Sequence, residues 1–135
     1  MSRRLAREMA LKTLFQIDVG KIASQQAIEN ILEEEAAAAK SKDFFLTLVN
    51  GVVDNLTEID EVLKKHLIEW DIKRIPNVDR NILRIAIFEL IYLADIPQSV
   101  SINEAVEVAK VFGTEDSTKF INGVLDNISK TLSKE

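Results

Sequence analysis

Arg3, Arg4, Arg7 and Lys12 stand within the first twelve residues against Glu8 alone, and Phe15 follows at the next turn. A guanidinium can grip a phosphate with two hydrogen bonds, and an aromatic ring offers a face to an unstacked base. Arginines interleaved with an aromatic are therefore equipment for holding single-stranded nucleic acid. At about 100° per residue, Ala6, Met9, Ala10, Thr13 and Ile17 fall on one side of a helix. Arg4, Arg7, Leu11 and Phe15 fall on the other. The bland alternative is that Leu11 and Phe15 face a second layer of helices while the arginines are solvated, since charge clusters at chain ends are common.

A second set lies near the C-terminus, in the stretch FGTEDSTKF. Ser117, Ile121, Val124, Leu125, Ile128 and Leu132 form a helical stripe suited to burial. Phe120 sits at the edge of that stripe, beside Asp116 and Lys119, and Phe112 ends the preceding helix. Both phenylalanines could equally be core.

Catalytic chemistry finds little support. The chain has no Cys and a single His, His66. Disulfides, thiolate metal sites, Cys nucleophiles and sites needing two imidazoles are all excluded. His66 has no Glu three residues before it, so the paired Glu-x-x-His motifs of a bundle di-iron site are missing. It falls near a helix C-terminus, which favours a cation, and lacks the partners acid–base chemistry requires. There is no P-loop and no Gly-rich dinucleotide turn. Neither a catalytic residue nor a cofactor nor a metal is expected.

The elements that must position these residues read as helices. The chain has 135 residues, 47% of them hydrophobic and 29% charged, which fits a folded domain with one sizeable core. Only 4 Gly and 2 Pro interrupt it. Apolar residues recur at three- and four-residue spacing, and no strand-like alternation appears. The first helix is expected from Ser2 to Val19, with Gly20 at its C′ position. Ser24 is expected to cap a second helix that ends in the Glu33–Ala39 run, and Ser41 a third carrying Phe44, Phe45, Leu48, Val49, Val52 and Val53. Thr57 and Asp60 start a fourth that reaches about Trp70. Pro76 and Asn77 mark a break. The segment VDRNILRIAIFELIYLAD then reads as the central buried helix, closed by Pro97. Ser101 and Glu104 form a capping box for INEAVEVAKVF, and Thr114 caps the last helix. The expectation is an all-α bundle of seven helices spanning residues 1–135, with a subdomain break near 70–77.

No apolar run reaches the roughly 18 residues of a membrane helix, and the N-terminus lacks the apolar stretch of a signal peptide. A cytoplasmic protein is expected. The formal net charge is −5, which argues against a general polyanion binder. That charge is unevenly spread: residues 1–12 carry +3, leaving −8 for the remainder. An acidic remainder discourages nonspecific binding and can face a basic partner.

Three stretches carry a resemblance: RRLAREMALKTLFQID, IPNVDRNILRIAIFEL and VSINEAVEVAKVFGTEDSTKFINGVLDNI. In this order and spacing they resemble the signature stretches of the NusB transcription antitermination family, over nearly the full chain. The last is the most specific, and residues 29–42 match least. The resemblance implies two packed three-helix subdomains with an added helix, in a bacterial, cytoplasmic, non-enzymatic protein. It implies binding to the boxA element of ribosomal RNA leaders together with the ribosomal protein NusE. It further implies joining elongating RNA polymerase with other Nus factors. Self-association would cover the RNA surface.

Residue by residue, the resemblance assigns Arg3, Arg4 and Arg7 to RNA phosphates and Phe15 to stacking, without the hydroxyl of the Tyr that also occurs there. It assigns Phe112, Asp116, Lys119 and Phe120 to the second part of the RNA surface. Asp116 can accept from a base amino group. Asp79, Arg80 and Arg84 match the region facing NusE, with Asp79 shorter than the Glu found elsewhere. Two other readings stay open. One is the RNA-binding module of a ribosomal RNA methyltransferase, although no methyl-donor domain follows within the 135 residues. The other is a helical protein-interaction module without RNA.

Overall fold

The computed structural model describes residues 3–35, 40–67 and 71–133, and every regular element among them is helical. In chain order these are α1 (Arg3–Asp18), α2 (Ser24–Glu34), α3 (Lys42–Asp54), α4 (Leu56–Lys65), α5 (Asn77–Tyr92), α6 (Gln98–Phe112) and α7 (Glu115–Ser133). A one-turn 3₁₀ helix at Ile72–Arg74 precedes α5. Ser2, Ala36 to Ala39 and Trp70, where three expected boundaries fall, lie outside the described residues.

The order of packing follows from which helices have an apolar circumference and which only a stripe. In α5, Ile82 through Leu90 are all buried, so no face is left for water. Such a helix must be surrounded, and α1, α3, α4, α6 and α7 all pack on it. The amphipathic α1 lies on α2, α3 and α5. Thus α2 and α3 pack on α1, α6 and α7 pack on α5 and on each other, and α4 lies against α5, with α1 and α3 joining the two halves of the chain at α5. One hydrophobic core runs through both halves, from Met9 and Phe45 to Ile87 and Leu125. The α3–α5 approach depends on Gly51, where a Cβ would stand 2.2 Å from the Phe88 ring.

Several helix ends differ from the sequence expectation. Thr114 does cap α7: its Oγ1 accepts from the Ser117 N–H at 3.2 Å, and the Ser117 Oγ accepts from the Thr114 N–H at 3.0 Å. Ser101 and Glu104 do not cap α6. That helix starts at Gln98 after Pro97, so both residues are interior and turn to other partners. Ser24 is the first residue of α2, after an uncapped Ala23, and Asn55, not Thr57, precedes α4. Beyond α1, the left-handed residue is Lys21 (φ 55°), not Gly20. Gly20 is needed for space, because a Cβ would lie 2.7 Å from the Gln16 carbonyl oxygen.

Candidate nucleic-acid interface

The arginines of α1 divide into three environments. Arg7 is buried, and its guanidinium donates to Glu89 with Nε–Oε2 2.8 Å and Nη2–Oε1 2.6 Å. The Ser101 hydroxyl donates to the same carboxylate at 2.8 Å. Arg7 therefore faces inward, contrary to the exposed phosphate-binding role expected of it. A lone guanidinium could not be buried, but Glu89 is one turn from the end of α5 and neutralises it. Arg4 is exposed and forms a two-pronged pair with Glu104, at 3.0 and 2.8 Å. That hydrogen bond, helped by the charges of Arg4 and Arg7, holds the Glu104 carboxyl below its ordinary pKa despite partial burial. Arg3 is exposed and lies 4.5 Å from the centroid of Phe44. Leu11 is buried, as the bland reading of α1 requires, while Phe15 remains 38% exposed.

The second set assembles around a cleft of about 560 Å³ between the start of α5 and the α6–α7 turn. Its walls include Ile75, Val78, Phe112 and Phe120, and its polar groups include Asp79, Asp116 and Ser117. The turn after α6 brings the two phenylalanines together, because Gly113 and the Thr114 cap reverse the chain tightly. Phe112 and Phe120 are half-buried and Asp116 is exposed. Asp79 is buried, and its Oδ1 has no hydrogen-bond partner. Burial pushes its carboxyl above the ordinary pKa, against an opposing hydrogen bond from Ser117.

A second lobe of about 450 Å³ lies between α1 and α2, lined by Leu11, Lys12, Phe15, Gln16, Glu34 and Glu35 among others. Val78 and Phe112 line both, so the two clefts adjoin at these side chains and are together called the trough, with Phe112 between its lobes. The sequence assigned no role to Lys12 or Gln16; Lys12 was visible only as the fourth cation of α1. Lys119 is exposed but lines a separate groove with Asn103, Glu107, Lys110 and Asn122. The structure thus joins Phe15, Asp79, Phe112, Asp116 and Phe120, and leaves Lys119 and the α1 arginines outside the trough.

Arg80 and Arg84 are mostly internal. Arg80 donates to Asp18 at 2.6 Å, and Arg84 grips Asp60 through two contacts of 2.9 Å. Burial raises the Asp18 pKa, but hydrogen bonds from Arg80 and Asn81, with the charges of Arg80 and Arg84, outweigh it and the net shift is downward. These two arginines fasten α5 to the end of α1 and to α4, so their guanidinium groups are already engaged within the chain.

The model of the NusB family matches residues 4–130. The chain belongs to the NusB family. It is 52% identical over 134 residues to the transcription antitermination protein NusB of Bacillus subtilis strain 168, covering 99% of each chain. Among solved structures, the NusB of T. maritima superposes with a TM-score of 0.88 at 40% identity, over 96% of this chain and 92% of that one. A structure of the antitermination factors NusB and NusE in complex with double-stranded RNA superposes with a TM-score of 0.84 at 30% identity, over 96% of both chains. This NusB-family chain has the all-α fold that the sequence predicts. No helix among its described residues is long and apolar enough to cross a membrane.

Proposed function

We propose that this NusB-family chain is a non-enzymatic transcription antitermination factor of the bacterial cytoplasm. It binds the boxA element of ribosomal RNA leaders together with NusE and joins elongating RNA polymerase with other Nus factors. The single observation that carries this reading is the trough in which Phe112 and Phe120 flank Asp79 and Asp116 in one lobe while Phe15 and Phe112 line the other. Single-stranded RNA is recognised by splaying its bases onto aromatic faces and reading their edges. The phenylalanines supply the faces. Asp116 supplies an acceptor for a base amino group. Arg3 and Arg4 lie where phosphates outside the trough can reach them, and Arg7 holds α1 in position from behind.

Few cations are exposed on this face, so binding by the chain alone is modest and falls with salt. NusE contributes a second RNA surface, and linkage tightens both contacts. Asp79, Arg80 and Arg84 act on the NusE side by setting the start of α5. Self-association over the trough would compete with RNA.

In vitro transcription tests the reading. On a boxA leader followed by a terminator, with NusE and the other Nus factors present, adding the chain raises read-through. Equal read-through with and without boxA contradicts it.

A further inference from the structure

Among the described residues lining the two lobes of the trough, Lys12 is the one cation; Asp79, Asp116, Glu34 and Glu35 are all acidic. A trough of that composition repels a phosphate backbone unless a positive charge is made available inside it. Lys12 is placed for this. Its ammonium is 6.0 Å from the centroid of Phe112, between the lobes. It donates to Glu35 Oε1 at 3.0 Å, and both side chains are half-buried at the surface, 38% and 37% exposed.

This pair differs in kind from Arg7–Glu89. A buried pair leaves a stranded charge when one partner departs, and breaking it is costly. An exposed pair contributes between zero and about 1 kcal/mol, so another anion can take the place of its carboxylate cheaply. A phosphate oxygen entering beside Phe112 would meet the same ammonium. The Glu35 carboxylate would then turn to water at the end of α2, where it already caps the helix in extended conformation.

We propose that Lys12 is the phosphate-binding cation of the trough, and that Glu35 occupies its ammonium until an RNA phosphate takes the place of that carboxylate. The inference rests on the RNA-binding reading above. It gives that reading a built-in threshold: the acid holds the cation against stray anions, and a base stacked on Phe112 brings its own phosphate close enough to compete. Neither residue needs to touch a base, so the contribution is the same for any sequence that seats in the trough.

The experiment is fluorescence anisotropy of a labelled boxA leader RNA, with NusE present, at several salt concentrations. Lys12→Met binds about three- to tenfold more weakly, the net range of one hydrogen bond once the existing Glu35 contact is given up. Its log K against log salt is shallower by about one. Lys12→Arg retains most of the affinity. Glu35→Gln binds more tightly than wild type, and more so than Glu34→Gln, which removes a charge from the same lobe. In the Lys12→Met background the Glu35→Gln gain shrinks to that of Glu34→Gln. Thermal melting shifts by at most a few degrees throughout, since the pair is partly exposed. Wild-type affinity and salt slope in Lys12→Met overturn the proposal, as does a Glu35→Gln gain that persists undiminished without Lys12. If the wild-type chain itself fails to bind, the RNA reading is what fails.

Discussion

Arg7 and Glu89, 82 residues apart in the chain, meet in a two-pronged ion pair whose side chains are 5% and 1% exposed. The contact locks α1 to the central helix α5. Ser101 from α6 completes the carboxylate's coordination, so three helices converge on one charge pair. The start of α1 is thereby held against α5 and α6, and the exposed Arg4–Glu104 pair adds a second link to α6.

Removing either partner strands the other in a dry site. Arg7→Met and Glu89→Leu are each expected to lower unfolding free energy by about 3–5 kcal/mol. The double variant recovers much of the loss, because no charge is left behind. Urea denaturation of the four proteins checks this. Near-additive losses would show that the pair is not the unit holding α1 to α5.

The pH dependence of stability has two opposed contributions. Asp18 is held below its ordinary pKa, since the Arg80 and Asn81 hydrogen bonds and the two arginine charges outweigh burial. Its stabilisation is therefore present above the unfolded carboxylate pKa of about 3.9 and is lost as pH falls through the lower folded value. Asp18→Asn costs about 1–2 kcal/mol at neutral pH, and the difference from wild type closes in acid. Asp79 behaves in the reverse sense. Burial raises its pKa against the Ser117 hydrogen bond, so its ionised form penalises the folded state above that raised value, and the penalty fades as pH falls toward about 4. Asp79→Asn raises the melting temperature at neutral pH and loses that advantage in acid. Melting curves from about pH 2 to 8 read both signs, Asp18 below about pH 4 and Asp79 above it.

Phe120 separates packing from recognition. It is half-buried against the core, yet one side lines the trough. Phe120→Leu keeps most of the apolar volume and loses the stacking face. Its stability is expected within about 1.5 kcal/mol of wild type. RNA affinity, measured by anisotropy in the presence of NusE, falls by about 1–3 kcal/mol, the worth of one stacked base. A stability loss larger than the affinity loss would assign Phe120 to the core alone.

What the sequence discloses is governed by range. The apolar circumference of α5, the stripe of α7 and the Thr114 cap depend on residues a few positions apart, and each is legible. The fate of Arg7 is not, because Glu89 becomes its partner only after α1 packs on α5. Ser101 and Glu104 show the same limit. Their spacing imitates a capping box, but tertiary partners on Glu89 and Arg4 claim both side chains. Arg80 and Arg84 look like exposed partner-binding cations until α1 and α4 bring Asp18 and Asp60 against them. Lys12 is conspicuous only once Glu35 and Phe112 arrive from α2 and α6. The meeting of Phe112 and Phe120 is legible, since they flank a short turn whose geometry is local.

The most direct test of the account is the equilibrium affinity of the chain for a single-stranded boxA RNA and for a scrambled RNA of equal length, each with and without NusE, at fixed salt. The account predicts modest binding alone, a clear gain with NusE for boxA only, and loss of that gain in a Phe112→Ala, Phe120→Ala double variant that still melts cooperatively. Equal affinity for boxA and scrambled RNA in the presence of NusE, or an undiminished gain in the double variant, would contradict it.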